Sequence, residues 1–255
     1  DMTGEPFDYW DFFIGEAKRA GSPLYVRLSE GVRDNPELRA FAAGAKKGQP
    51  PANILFGAVH YLLLRGADHP FRRFYTNLNG GTRDEGDPLP HIFDFVATHR
   101  VQLAPLIAAK VTNTNEVGRA SLLHAAFRAV AEDAGEPLNL IEIGPSAGLN
   151  LVWDRYGVRY HRGSEIFELP VAEAALTIDC ELRGDKLPPL GPTPKIASRV
   201  GLELNPVDLD DPDQRDWLRA LVWPDTRGRF ERLEAALKAY ASDRPEISAG
   251  SALDL

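Results

Sequence analysis

The chain has 255 residues, 44% of them hydrophobic and 26% charged, which are the proportions of an ordinary globular protein. Its net charge of −8 is concentrated in residues 136–255, where 14 Lys and Arg face 21 Asp and Glu, so the basic field of nonspecific nucleic-acid binding is excluded. No apolar run of about 18 residues marks a membrane span, and the single Cys180 cannot form an internal disulfide, which suits a reducing cytoplasm.

In chain order, the first elements read as helices. Asp1 to Gly4 lack the basic-then-apolar layout of a signal peptide. Residues 6–20 place Phe7, Trp10, Phe13, Ile14 and Ala17 at helical spacing. Ser22-Pro23 and Asn35-Pro36 each combine an N-cap residue with proline in the first turn. Residues 51–65 carry Ile54, Leu55, Ala58, Val59, Leu62 and Leu63, a stripe wide enough for a buried helix. Residues 79–90, with three glycines and two prolines, predict a mobile loop, and helical pattern returns over 92–109. Residues 1–112 are therefore expected to form an all-α domain. His60, His69, His91, His99 and His124 show no i, i+4 pair and no HExxH, so they are assigned to packing or surface and no metal site is expected.

From 113 onward the pattern changes. Residues 115–134, with Val117, Leu122, Ala125, Ala126, Ala129 and Val130, predict a helix ending at Gly135-Glu136-Pro137. The aliphatic run 139–143 follows and closes on Gly144-Pro145-Ser146-Ala147-Gly148, after which a helix is expected from Leu149. Strand, tight glycine turn and helix is the layout that aims backbone N–H groups at a ligand. A dinucleotide turn wants glycines where Ser146 and Leu149 stand. A hydrolase elbow matches Gly144-x-Ser146-x-Gly148, but only His161 follows to complete a triad. The third reading is an acid followed by G-x-G-x-G, met by Glu142, Gly144, Ser146 and Gly148 with one Gly-to-Ser change.

A second strand is expected at 195–203, ending in Glu203, whose carboxylate would grip ribose hydroxyls, with Asp208 in reserve. The competing assignment makes 158–161 the second strand and Glu165 the ribose acid. With the second strand at 195–203, residues 157–194 read as an inserted hairpin or arm. A helix at 229–241, with Phe230, Leu233, Leu237 and Tyr240 on one side, and a third strand with its turn at 246–254 complete the pattern. Strand, helix, strand, helix, strand implies a parallel sheet. The expected fold class is α/β: an N-terminal all-α domain, then a Rossmann-like parallel sheet over 113–255 that looks truncated after its third strand. In sheet order 3-2-1-4-5 the first strand would be an open edge, so a further segment or a partner chain is expected to complete it.

The short loop 135–137 sets the preceding helix antiparallel to strand 139–143. Twenty helical residues reach ~30 Å and five strand residues ~17 Å, so the helix start is expected to overhang the carboxyl end of the strand. Asn113, Asn115, Glu116 and Arg119 would line that rim, unless Asn113, Thr114 or Asn115 serves only as a cap. Arg155, Tyr156, Arg159, Tyr160, His161 and Arg162 form one basic and aromatic cluster, assigned to solvated surface rather than to an anionic acceptor.

Several stretches carry a family resemblance: Ser22-Pro23-Leu24-Tyr25, Gln49 to Asn53, Thr114 to Arg119, Glu142 to Asn150, Asn205-Pro206-Val207-Asp208 and Trp217 to Pro224. In these the chain resembles, over most of its length, an uncharacterised bacterial family, domain of unknown function 2332. A more distant likeness, over 114–255, is to class I S-adenosylmethionine-dependent methyltransferases, although Ser251 stands where that superfamily often has an acid near adenine. That likeness implies S-adenosylmethionine as cofactor and a small-molecule acceptor, with Glu142, Gly144, Ser146, Gly148 and Glu203 around the cofactor; the expected overhang of the helix start adds Asn115, Glu116 and Arg119 to the same site. The likeness assigns no catalytic residue. The alternative is a non-catalytic Rossmann-like module that binds a nucleotide or a protein partner.

Overall fold

The computed structural model describes residues 8–253 except 170, 172, 227, 242 and 243; Phe7 and Asp254 therefore lie outside the described residues. Capping decides where the first helices begin. The Asp8 carboxylate accepts from Trp10 N at the start of α1 (Tyr9–Arg19). The Ser22 hydroxyl accepts from Tyr25 N ahead of α2 (Pro23–Arg33), and Asn35 accepts from Leu38 N ahead of α3 (Pro36–Ala42). α4 (Pro51–Leu64) is buried nearly all round, as its broad apolar stripe requires. The helical pattern over 92–109 is met by two helices, α5 (Leu89–Thr98) and α6 (Arg100–Ala109). They part at His99, whose ring stacks on Phe95 at 4.2 Å between centroids and whose Nδ1 lies 3.1 Å from the Phe95 carbonyl. Residues 79–88 are irregular, and Asp84 and Asp87 pair with Arg73 and Arg27 at 2.8 and 3.1 Å.

The helix expected from residue 115 begins later. A 3-10 turn (Val117–Arg119) precedes α7 (Ala120–Ala134), and the face that is buried is Ala120, Ser121, His124 and Arg128. Leu122 and Val130, placed on the inner face by periodicity, are exposed. The polar groups win that face because each finds a partner. His124 Nε2 lies 2.8 Å from the Tyr156 carbonyl, and Arg128 donates to Gly191 O and Thr193 Oγ1, both at 2.9 Å.

The strands are β1 (Leu138–Ile143), β2 (Gly157–Arg162), β3 (Glu165–Leu169), β4 (Thr177–Glu181), β5 (Ile196–Glu203) and β6 (Glu246–Ala249), with α8 (Pro212–Ala220) and α9 (Arg229–Tyr240) between the last two. They form two sheets. β1, β5 and β6 lie in that order and all run parallel, with Glu142 opposite Gly201 and Glu203 opposite Ala249. The sequence expected as an inserted arm forms the second sheet, β3-β2-β4. The fold is thus mixed α/β with a three-stranded parallel sheet. The competing assignment of 158–161 as neighbour of the first strand is overturned, because β1 pairs with β5 while β2 pairs with β3 and β4.

The chain divides into two compact units. One holds residues 1–113 and 211–230, and its described elements are helices. It takes in 211–230 because Trp217 and Leu221 of that segment bury themselves on α4, where Gly57 leaves room. A Cβ there would stand 3.1 Å from Leu221 and 3.2 Å from Trp217. The other unit holds 114–210 and 231–255, including both sheets. In it, the face of the parallel sheet carrying Leu138, Leu140 and Arg199 is covered by a seven-residue 3-10 segment (Leu149–Arg155). Arg199 is tied to it through Asp154 at 2.6 Å and the Leu151 carbonyl at 3.0 Å. On the opposite face of β1, Ile141 is 78% exposed and Ile143 69%.

Candidate binding site at the carboxyl end of the parallel sheet

Parallel strands put all their carboxyl ends on one side, which is where open α/β sheets receive ligands. Here that side carries the turn 144–148 after β1, Leu204 and Asn205 after β5, and Gly250 to Leu253 after β6. Gly144 (φ 72°) and Gly148 (φ 82°) take left-handed conformations that suit glycine, but they face different surroundings. A Cβ on Gly148 would stand 2.7 Å from Ile247, so that glycine is needed for close packing. A Cβ on Gly144 would meet nothing within 4 Å, so the backbone there is open to an incoming molecule.

The turn does not present free amides, contrary to the expectation from the strand-turn-helix layout. Gly144 N donates to Leu202 O at 2.9 Å and Gly148 N to Pro145 O at 2.8 Å. Ser146 N donates to Glu203 Oε2 at 2.8 Å, and Ala147 N to Asn115 Oδ1 at 3.0 Å. The helix expected from Leu149 is a short 3-10 segment with a non-helical kink at Val152, too brief to supply a helix-end field. The turn is braced from within. A phosphate cradle needs several unclaimed N–H groups, and these are claimed.

The expected site residues divide accordingly. Asn115 is buried and holds the turn at two points, since its Nδ2 also donates to Pro145 O at 3.0 Å. Glu203 is buried, and its second oxygen accepts from Asn205 N at 3.2 Å, so both carboxylate oxygens serve the backbone. Glu116 caps the 3-10 turn by accepting from Gly118 N at 3.0 Å and faces Arg232 at 3.9 Å. Glu142 differs from all of these: half-buried, its carboxylate makes no hydrogen bond or ion pair among the described residues. Burial pushes its carboxyl above the usual range, with the exposed Arg119 opposing that rise and Glu203 reinforcing it. Sequence reasoning named Asn115 for a rim and missed its role as a clamp on the turn. Asn115 sits next to a residue capable of capping, so its reach across 30 positions has no local signal.

Ser146 occupies a place where the pattern wants glycine, and it takes the glycine conformation, φ 56°. Its buried Oγ has no hydrogen-bond partner. Ser146→Gly is expected to raise stability by about 1 kcal/mol, as relief of left-handed strain and of an unsatisfied hydroxyl outweighs the added freedom of the unfolded chain. A urea midpoint equal to or below that of the parent would refute this. The basic and aromatic cluster of 155–162 is not a free anion site. Tyr156 and Tyr160 are buried, Arg159 pairs with Asp179 at 2.7 Å, and Arg162 pairs with Glu165 at 2.9 Å.

Among the described residues no helix is long and apolar enough to cross a membrane. A family described as "Uncharacterized protein conserved in bacteria (DUF2332)" matches residues 13–255. No curated protein and no solved structure matches the chain.

Proposed function

The chain belongs to the DUF2332 family of bacterial proteins, whose description names no activity, and from that premise we propose that residues 114–210 and 231–255 form a Rossmann-like unit binding S-adenosylmethionine for methyl transfer to a small molecule. The observation that carries the reading is the pairing of an open glycine with an unpartnered acid. Gly144 leaves the backbone approachable, and Glu142, two residues earlier on the same strand end, holds a carboxylate with no hydrogen bond or ion pair among the described residues. Exposed Ile143 ends β1, Leu204 directly follows β5 and Leu253 lies in the segment after β6, so the carboxyl side of the parallel sheet offers apolar surface to a flat base. Because the turn amides are already bonded, the site suits a nucleoside without phosphates better than a dinucleotide.

In this reading Glu142 attracts the cationic end of the cofactor, Asn115 and Glu203 keep the turn in shape, and Arg119 sets the local charge balance. The cofactor would supply an activated methyl group, and the protein would contribute alignment with the acceptor, a proximity effect. A second reading, a non-catalytic module, draws on the same Glu203, whose two oxygens are engaged by Ser146 N and Asn205 N instead of standing free for ribose.

Calorimetry separates the two readings. S-adenosylmethionine and S-adenosylhomocysteine are expected to give binding heats, NAD and ATP none, and Glu142→Gln is expected to weaken S-adenosylmethionine at least tenfold, about 1.4 kcal/mol. Silence with both sulfur ligands would sink the methyltransferase reading and leave the module.

A further inference from the structure

Between β4 and β5 the chain runs Lys186-Leu187-Pro188-Pro189-Leu190-Gly191-Pro192-Thr193-Pro194 without regular secondary structure. Among the described residues, the backbone of residues 186–190 makes no hydrogen bond. The stretch is nonetheless held at both ends. Arg162 Nη1 donates to Asp185 O at 3.0 Å, and the buried Arg128 donates to Gly191 O and Thr193 Oγ1 at 2.9 Å each.

We propose that residues 186–192 are a docking strand for a protein domain whose aromatic-lined groove, acidic at one end, reads proline-rich ligands. Four features support it. Prolines fix φ near the polyproline II value, and that helix forms no internal hydrogen bonds, which matches a backbone left unpaired. Its three-residue repeat puts Lys186, Pro189 and Pro192 on one edge and Leu187 and Leu190 on the next. Both leucines are 41% exposed, and Lys186 and Pro192 are exposed too, whereas a strap that served only the fold would turn its leucines inward. Lys186 has no partner among the described residues, so its charge is available to a groove carboxylate.

Pinning by Arg128 and Arg162 lowers the ordering cost of binding, since the strand is held before the partner arrives. Recognition of this kind uses proline pockets for affinity and a flanking cation for direction.

The test uses the whole chain and an isotope-labelled SH3-type domain selected for ligands with a basic residue three positions before proline. Titration is expected to shift resonances of the domain's aromatic groove. Lys186→Glu and Pro189→Ala are each expected to weaken binding at least tenfold while leaving the thermal unfolding of the chain in place. Lys186 is exposed and unpaired, so its variant keeps the proposal testable even if the proline variant perturbs the arm. Absence of groove shifts at millimolar chain, or shifts that survive Lys186→Glu unchanged, would overturn the proposal.

Discussion

Arg199→Ala is expected to cost about 3–5 kcal/mol of stability, among the larger effects of a single substitution. Arg199 and Asp154 have side chains only 13% and 14% exposed and meet at 2.6 Å. Removing the guanidinium leaves a carboxylate in the interior with no countercharge beside it, and Asp154 Oδ1 already lacks a hydrogen-bond partner. It also strips the donor from the Leu151 carbonyl, so the 3-10 segment over the parallel sheet loses both of these ties to β5. Exposed pairs on the same chain, such as Arg27 with Asp87, are expected to contribute about 1 kcal/mol or less, because water screens them. The pair is a matter of matching rather than of attraction. Arg199→Met with Asp154→Leu should therefore recover most of the loss, since neither charge is then stranded. Urea denaturation of the single and double variants checks this, and a single variant within 1 kcal/mol of the parent would refute it.

Acid is expected to remove about 3 kcal/mol through each of two buried histidines. His60 and His124 both have 0% exposure, and burial is the main reason each is pushed down from 6.5 to about 4; for His124 the Arg128 guanidinium adds to it. The hydrogen bonds agree with neutral rings. His60 Nδ1 faces the Ala220 carbonyl at 2.9 Å while its Nε2 faces the Asn77 amide nitrogen at 3.0 Å, an acceptor's place. His124 Nδ1 likewise faces Arg128 Nη1, a donor, at 2.5 Å. A second proton would thus confront a donor in both cases. The unfolded chain takes that proton near pH 6.5, the folded chain only near pH 4. Between these values the unfolded state binds more protons. The stabilisation is therefore complete above pH 6.5 and lost as pH falls toward 4. Denaturant titrations across that window should show stability falling with pH, with a shallower slope in His60→Gln. A slope unchanged by that substitution would exclude His60 as the source.

Much of the first unit could be read in advance because its signals are local. Ser22 and Asn35 cap helices with their own side chains, within three residues of the amides they serve, and the stripe of α4 is dense enough to demand burial whatever surrounds it. The break at His99 left no mark in the pattern because both halves of residues 92–109 are helical in propensity and the interruption is a single residue, His99, with φ −105° and ψ 16°. The inner face of α7 also escaped. Periodicity ranks Leu122 above Arg128, yet an arginine with satisfied donors can be buried while a leucine without a partner surface stays outside.

At the candidate site the residue types were legible and their partners were not. The acid-then-glycine pattern located Glu142, Gly144, Ser146 and Gly148 on one strand end, because strand, turn and left-handed backbone are consequences of nearby residues alone. That Glu203 and Asn115 consume the amides of that turn depends on contacts across 57 and 32 positions, which no short window contains.

Sequence alone thus determined what short-range sterics and capping can enforce: where helices start, where the chain must turn, and which strand end carries an acid. Tertiary structure decided which groups meet. It returned residues 211–230 to the helical unit, set β5 beside β1 across an intervening second sheet, and left Glu142 unclaimed while Glu203 was engaged. The physical reason is that hydrogen bonds and buried charges are satisfied by proximity in space, and proximity in space is settled only once the whole chain has packed.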